Sequence, residues 1–142
     1  MSHTSLLYHC VFSTKRRKRQ IDEATQPRLW SYMGGIARTN GMKALAIGGT
    51  DDHVHLLLSL PATMPIAEAM KLIKAGSSKW MHEKVGNKAF LWQEKYGAFT
   101  IGISQREVTL RYIQNQKKHH ARRTSAQEWA AILKKHGLPV ED

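Results

Sequence analysis

This 142-residue sequence predicts an α+β fold, an antiparallel sheet with helices packed on one face. Three observations carry the expectation. Short apolar runs and amphipathic segments of period three to four follow one another in the order strand, helix, strand, strand, helix, strand. The two middle strands are separated only by Gly48-Gly49-Thr50-Asp51, which is turn chemistry, so they should pair as a hairpin. The length suits one domain, residues 1–142, with a core of its own but no second one.

Each element has a local reason. Leu6 to Phe12 reads as a first strand, and Lys15, Arg16, Arg17, Lys18 and Arg19 form a basic loop at its end, where binding residues commonly sit. From Thr25 to Asn40, Leu29, Trp30, Met33, Ile36 and Ala37 recur at helical spacing, with Pro27 in the first turn and Gly41 as terminator. Met42 to Ile47 is a second strand. His53 to Leu60 is a third, with Val54, Leu56, Leu58 and Leu60 on one face. Pro65 to Lys84 is a second helix whose stripe Ile66, Ala69, Met70, Ile73, Ser77 and Trp80 should pack on the sheet. Its other side carries Lys71 and Lys74, a solvated face or a track for phosphates. An aromatic-rich loop, Phe90 to Gly97, leads into a fourth strand, Ala98 to Ser104. Such a strand and helix order is the ferredoxin-like split pattern.

Two further helices follow. The first, Gln105 to Arg123, sets Val108, Tyr112, Gln116, His119 and Arg123 on one stripe at about 100° per residue. Lys117, Lys118, Arg122 and Arg123 make its C-terminal half basic. The last, Ser125 to His136, has Ser125 as N-cap, Glu128 in the capping-box position and Gly137 as terminator, and carries little chemistry.

Chemistry concentrates at two places. His53 and His55 share a strand face and sit roughly 7 Å apart, close enough for both imidazoles to reach one metal ion or simply to line a wet sheet face. Tyr112 has Gln116 one turn away, and the sheet face bearing the histidines is left open by the core helices, so the two places can meet.

Composition narrows the partners. Twenty-two Lys and Arg against eleven Asp and Glu give a formal charge of +11, which points to a polyanion and above all to nucleic acid. No apolar run is long enough for a membrane span, and no secretory leader is visible, so a soluble, cytoplasmic protein is expected. A single cysteine, Cys10, excludes an internal disulfide and any multi-cysteine metal site.

Asp52-His53-Val54-His55 with its leucine run, Trp92-Gln93 ahead of Tyr96-Gly97-Ala98-Phe99, and Tyr112-Ile113 followed by Gln116 together resemble the single-tyrosine HUH transposases of small bacterial insertion sequences, the IS200-like type. The resemblance implies a ferredoxin-like fold with an additional C-terminal helix carrying the catalytic tyrosine. It implies Tyr112 as nucleophile, His53, His55 and Gln116 as metal ligands, and Mg2+ or Mn2+ as cofactor. It further implies single-stranded hairpin DNA as substrate, a 5′-phosphotyrosine intermediate, and a nucleoid-associated bacterial or archaeal setting. A homodimer is expected, with Tyr112 and Gln116 of one chain serving the histidines of the other.

That assignment makes chemical sense. A phenol with a pKa of about 10 needs help to lose its proton, and a cation held by two imidazoles and an amide oxygen can neutralise charge building on a phosphodiester. The alternatives are a domesticated repeat-associated relative, a non-mobilising single-stranded DNA-binding protein, and a water-using phosphoesterase that would not need Tyr112.

Overall fold

The structure, a computed structural model, describes residues 2–120 and 123–140, apart from the side chains of His119 and His120. Four strands, β1 (Leu7–Ser13), β2 (Lys43–Gly49), β3 (His53–Ser59) and β4 (Gly97–Ile101), form one antiparallel sheet in the order β2-β3-β1-β4. This is the ferredoxin-like order expected from the sequence. The hairpin is present: β2 pairs with β3, with a register shift between Ala44 and Ala46.

One face of the sheet carries α1 (Gln26–Thr39) and α2 (Ile66–Trp80). Val54, Leu56, Leu58 and Leu60 join Cys10, Phe12, Leu29, Met33, Met70 and Ile73 in the main core there, as strand alternation requires. Burying them supplies the main driving force for folding, roughly 25 cal/mol per Å² of apolar surface. Pro27 does open α1, and Gly41, at φ +80°, ends it.

The opposite face holds α3 (Arg106–Gln114), α4 (Gln116–His120) and α5 (Ser125–Lys135). Here the structure departs from the expected continuous helix over 105–123: the chain breaks at Asn115, and Gln116 begins a new short helix. The fourth strand also stops at Ile101, and a tight turn over Ile103–Gln105 follows. Ile113 and Leu110 of α3 pack with Leu45, Ala46 and Leu57. Gly48 makes that approach possible, because a Cβ there would lie 2.3 Å from the Ile113 carbonyl oxygen. α5 covers the other half of the face, where Ile132 and Leu133 bury Val11 and Phe99.

The cap of α5 lies one residue earlier than expected. Thr124 is the N-cap: its hydroxyl accepts from Gln127 N (3.2 Å), and Gln127 Oε1 accepts from Thr124 N (2.9 Å). Gln127 thus takes the capping-box role that the sequence suggested for Glu128. One residue is about 100° of helix rotation, and Glu128 is thereby turned onto the sheet.

Candidate active site

His53 and His55 lie on the sheet face under α3, α4 and α5, 3% and 0% exposed. Each imidazole is held from behind through Nδ1. His53 Nδ1 lies 2.8 Å from Asp52 Oδ1 and 2.9 Å from Thr50 Oγ1. His55 Nδ1 lies 2.8 Å from Nε2 of His9, a buried residue of β1. Both Nε2 atoms are therefore directed to one place.

Three more groups meet them there. Gln116 Oε1 is 3.0 Å from His53 Nε2. Glu128 Oε1 is 3.0 Å from His55 Nε2 and 3.3 Å from His53 Nε2. The Tyr112 hydroxyl donates to Glu128 Oε2, and its ring sits 5.7 Å from that of His55. Tyr112 is half-buried, whereas Gln116 and Glu128 are each 2% exposed.

Electrostatics follow from that packing. Burial alone would lower the His53 pKa, but hydrogen bonds to Asp52, Glu128 and Gln116 outweigh it and lift the value to about 9. Burial would likewise raise the Glu128 carboxyl, yet its bonds to His53 and His55 hold it far below the usual carboxylate range. Tyr112 moves above the ordinary phenol value, through burial and then through the Glu128 carboxylate beside it. His9 falls to about 3, because burial and the neighbouring His55 both disfavour its charged form.

The donor set suits a divalent cation. Nε2 of His53, Nε2 of His55 and a Glu128 oxygen all lie within 4.8 Å of one another, with the Gln116 amide oxygen beside them. When Nε2 carries a lone pair, Nδ1–H of His53 donates to Asp52 and Nδ1–H of His55 donates to neutral His9. Such backing is what metal-ligating histidines ordinarily show.

All four residues singled out by the sequence, Tyr112, His53, His55 and Gln116, come together within one chain. α3 is anchored to its own sheet by Ile113 and Leu110, and the short connection after β4 delivers it there.

The sequence reading missed His9, Asp52 and Glu128. Asp52 was visible beside His53 but had no assigned partner. His9 becomes a partner only through the β1–β3 register, which sets Val11 opposite His55. Glu128 was assigned to a cap.

The basic residues divide by face. Arg17, Arg19, Lys117 and Arg123 line an open cavity of about 870 Å³ next to Asp52 and Ser125. Lys15, Arg16, Lys18 and Lys118 are exposed near it in sequence. Arg16 and Arg17 hold left-handed φ values of 59° and 54°, uncommon for non-glycine residues. Lys117 also pairs with Glu23 at 3.0 Å and Arg19 with Asp51 at 3.7 Å. Lys71 and Lys74 instead lie on α2, across the sheet from the histidines. The Lys74 ammonium donates to the carbonyls of Gln93 (2.6 Å) and Glu94 (3.1 Å). Arg122 lies outside the described residues.

The profile of the IS200-like transposases matches residues 2–116. The chain belongs to that family. It is 27% identical over 117 residues to the ISDra2 transposase TnpA of Deinococcus radiodurans, covering 78% of this chain and 84% of the relative. It is 25% identical over 124 residues to the IS200 transposase of Salmonella typhimurium, covering 82% and 81%. Among solved structures, a transposase from D. radiodurans superposes with a TM-score of 0.67 at 26% identity, over 81% of this chain and 93% of that one. A REP-associated tyrosine transposase bound to a REP hairpin gives 0.63 at 16% identity, over 84% and 74%, and shares the fold. The family match ends at Gln116, so Glu128 enters the site of this IS200-like transposase from beyond the matched region. No helix among the described residues is long and apolar enough to cross a membrane.

Proposed function

We propose that this transposase cuts and rejoins single-stranded DNA at hairpin-bearing ends, using Tyr112 as nucleophile and a divalent cation, Mg2+ or Mn2+, held by His53, His55 and Gln116 with the Glu128 carboxylate. The convergence of the Tyr112 hydroxyl, both Nε2 atoms and two side-chain oxygens on one buried point carries this reading. A cation bound there supplies charge neutralisation for the phosphodiester.

The chain's own groups do the rest. Tyr112 Oη attacks phosphorus and its proton passes to Glu128 Oε2. The phosphorus to O3′ bond breaks, the leaving 3′-oxygen takes up the proton that Glu128 relays and becomes a free hydroxyl, and the 5′-phosphate stays on Tyr112. Neighbouring carboxylate charge and burial keep the phenol protonated beforehand, so the tyrosine becomes a nucleophile only when positive charge and substrate are both in place. The covalent ester conserves the energy of the broken bond for rejoining, which a water-using phosphoesterase would lose.

The test is a denaturing gel. Wild type with Mn2+ and a single-stranded hairpin oligonucleotide should give a protein–DNA adduct that survives denaturation. Tyr112→Phe should lower adduct and cleavage by on the order of 10⁴-fold or more while still binding DNA. Cleavage by Tyr112→Phe at wild-type rate would transfer the chemistry to water.

A further inference from the structure

A second cavity, of about 540 Å³, opens beside the site between the end of β1, the loop around Gln93 and α5. His53, Glu128, Gln93, Lys95, Trp129 and Arg17 line it, together with apolar side chains of β1 and α5. Volumes of this order suit small ligands. It therefore communicates directly with the point where a scissile phosphate would lie.

The Gln93 loop is held unusually firmly for a surface segment. Thr14 and Trp92 form an isolated β-bridge, Lys15 N donates to Leu91 O (2.8 Å), and Gln93 N donates to Ser13 O (2.9 Å). Trp92 packs edge-on against Phe12 and Phe90, and its Nε1 donates to Ser77 Oγ (2.9 Å). From the other side Lys74 ties down the carbonyls of Gln93 and Glu94. The Gln93 amide is oriented too: Oε1 accepts from Ser13 N (2.9 Å) and from the Ser13 hydroxyl. Its NH₂ group, with two donors, is what remains for another partner.

The aromatic part of the lining is fixed as well. Trp129 rests over Gly97, where a Cβ would come within 2.6 Å of the indole ring, so only glycine admits it. The indole is half-buried and lines the cavity. A fixed amide and an aromatic ring lining one cavity with two cations and the residues of the phosphate-handling centre fit a planar polar ring attached to a phosphodiester.

We propose that this cavity is a nucleobase subsite, holding one base of the single strand next to the phosphate presented to Tyr112, packed on Trp129 and read by the Gln93 amide. The inference rests on the strand-cutting reading above. Lys95 and Arg17 then meet the adjoining phosphates, and Lys74 serves as a strut for the reading loop.

Two measurements test it. Full-length protein with Mn2+ is given hairpin oligonucleotides with randomised single-stranded flanks, and both DNA products of adduct formation are sequenced. Wild type should prefer one base by about ten-fold or more at one position beside the cut, and Gln93→Ala should reduce that preference to roughly two-fold while adduct still forms. Uniform bases in the wild-type products, or an unchanged preference in Gln93→Ala, would overturn the subsite. Separately, 2-aminopurine is walked along a single-stranded flank bound to Tyr112→Phe protein. One position should lose fluorescence on binding and regain it with Trp129→Leu, whose folding is checked by melting, or with Gln93→Ala. Bound DNA with no quenched position defeats the subsite even if wild type makes adducts. Quenching at one position without any adduct defeats the cutting reaction and retains the subsite.

Discussion

His9 shows how a residue can matter to the site by holding another from behind. Its Nε2 meets the back of His55, and burial keeps it neutral with a pKa of about 3, so it can accept the His55 Nδ1 proton whenever Nε2 is needed as a ligand. Removing such a support ordinarily costs 10–100-fold in metal affinity. We expect His9→Phe to fill the same space and remain folded but to bind Mn2+ about 10–100-fold more weakly by calorimetry. Unchanged affinity would make the contact purely a packing one. At this scale, what could be read in advance was what local geometry decides. His53 and His55 share a face because strands alternate, and Gln116 follows Tyr112 because helices turn. His9 depends on which residue of β1 lies across from β3, and Glu128 on where a helix cap falls, and neither follows from the spacing of a single segment.

At the scale of elements, the site is made by two docking events on one sheet face, each permitted by a glycine. Gly48 lets the α3 backbone touch β2, and Gly97 lets Trp129 of α5 lie against β4. The obstacle at position 48 is a main-chain carbonyl, which cannot rotate out of the way. Gly48→Ala should therefore push α3 off the sheet, costing about 1–3 kcal/mol in chemical denaturation and lowering Mn2+ affinity by moving Gln116. Preserved stability together with wild-type affinity would mean that α3 has freedom its packing does not suggest. All four strands and both core helices were legible because their apolar period is strong. The break at Asn115 was not, since Arg111 to Lys118 is polar enough to suit either one helix or two. The stripe drawn through Val108, Tyr112 and Gln116 accordingly held only in part: Val108 is 60% exposed, while Gln116 is buried.

For the molecule as a whole, the sheet separates a layer that folds the chain from a layer that would meet DNA. Binding should follow the second layer. The affinity for a single strand should fall with salt at a log-log slope of roughly −0.7 per phosphate contacted. Arg17→Ala should weaken binding and flatten that slope by about 0.7, whereas Lys71→Ala, across the sheet, should change neither; equal effects would remove the assignment of faces. The same layering decides how the active site is assembled. A tyrosine helix that swings to a partner would leave its own sheet face uncovered, exposing Ala46 and Leu57 and removing Ile113 from a fully buried position. Losing such contacts typically costs a few kcal/mol, so exchange should be rare even if chains associate as dimers. Mixing Tyr112→Phe with His53→Ala protein is then decisive. In a mixed pair with shared sites, one site would regain both the tyrosine and the histidines, and adduct would return to a fraction of wild type. With α3 docked on its own sheet, every site lacks one of the two, and no mixture should recover activity. Adduct formed by the mixture, on the chain retaining Tyr112 and only after subunits have had time to exchange, would show that α3 leaves its own sheet during the reaction.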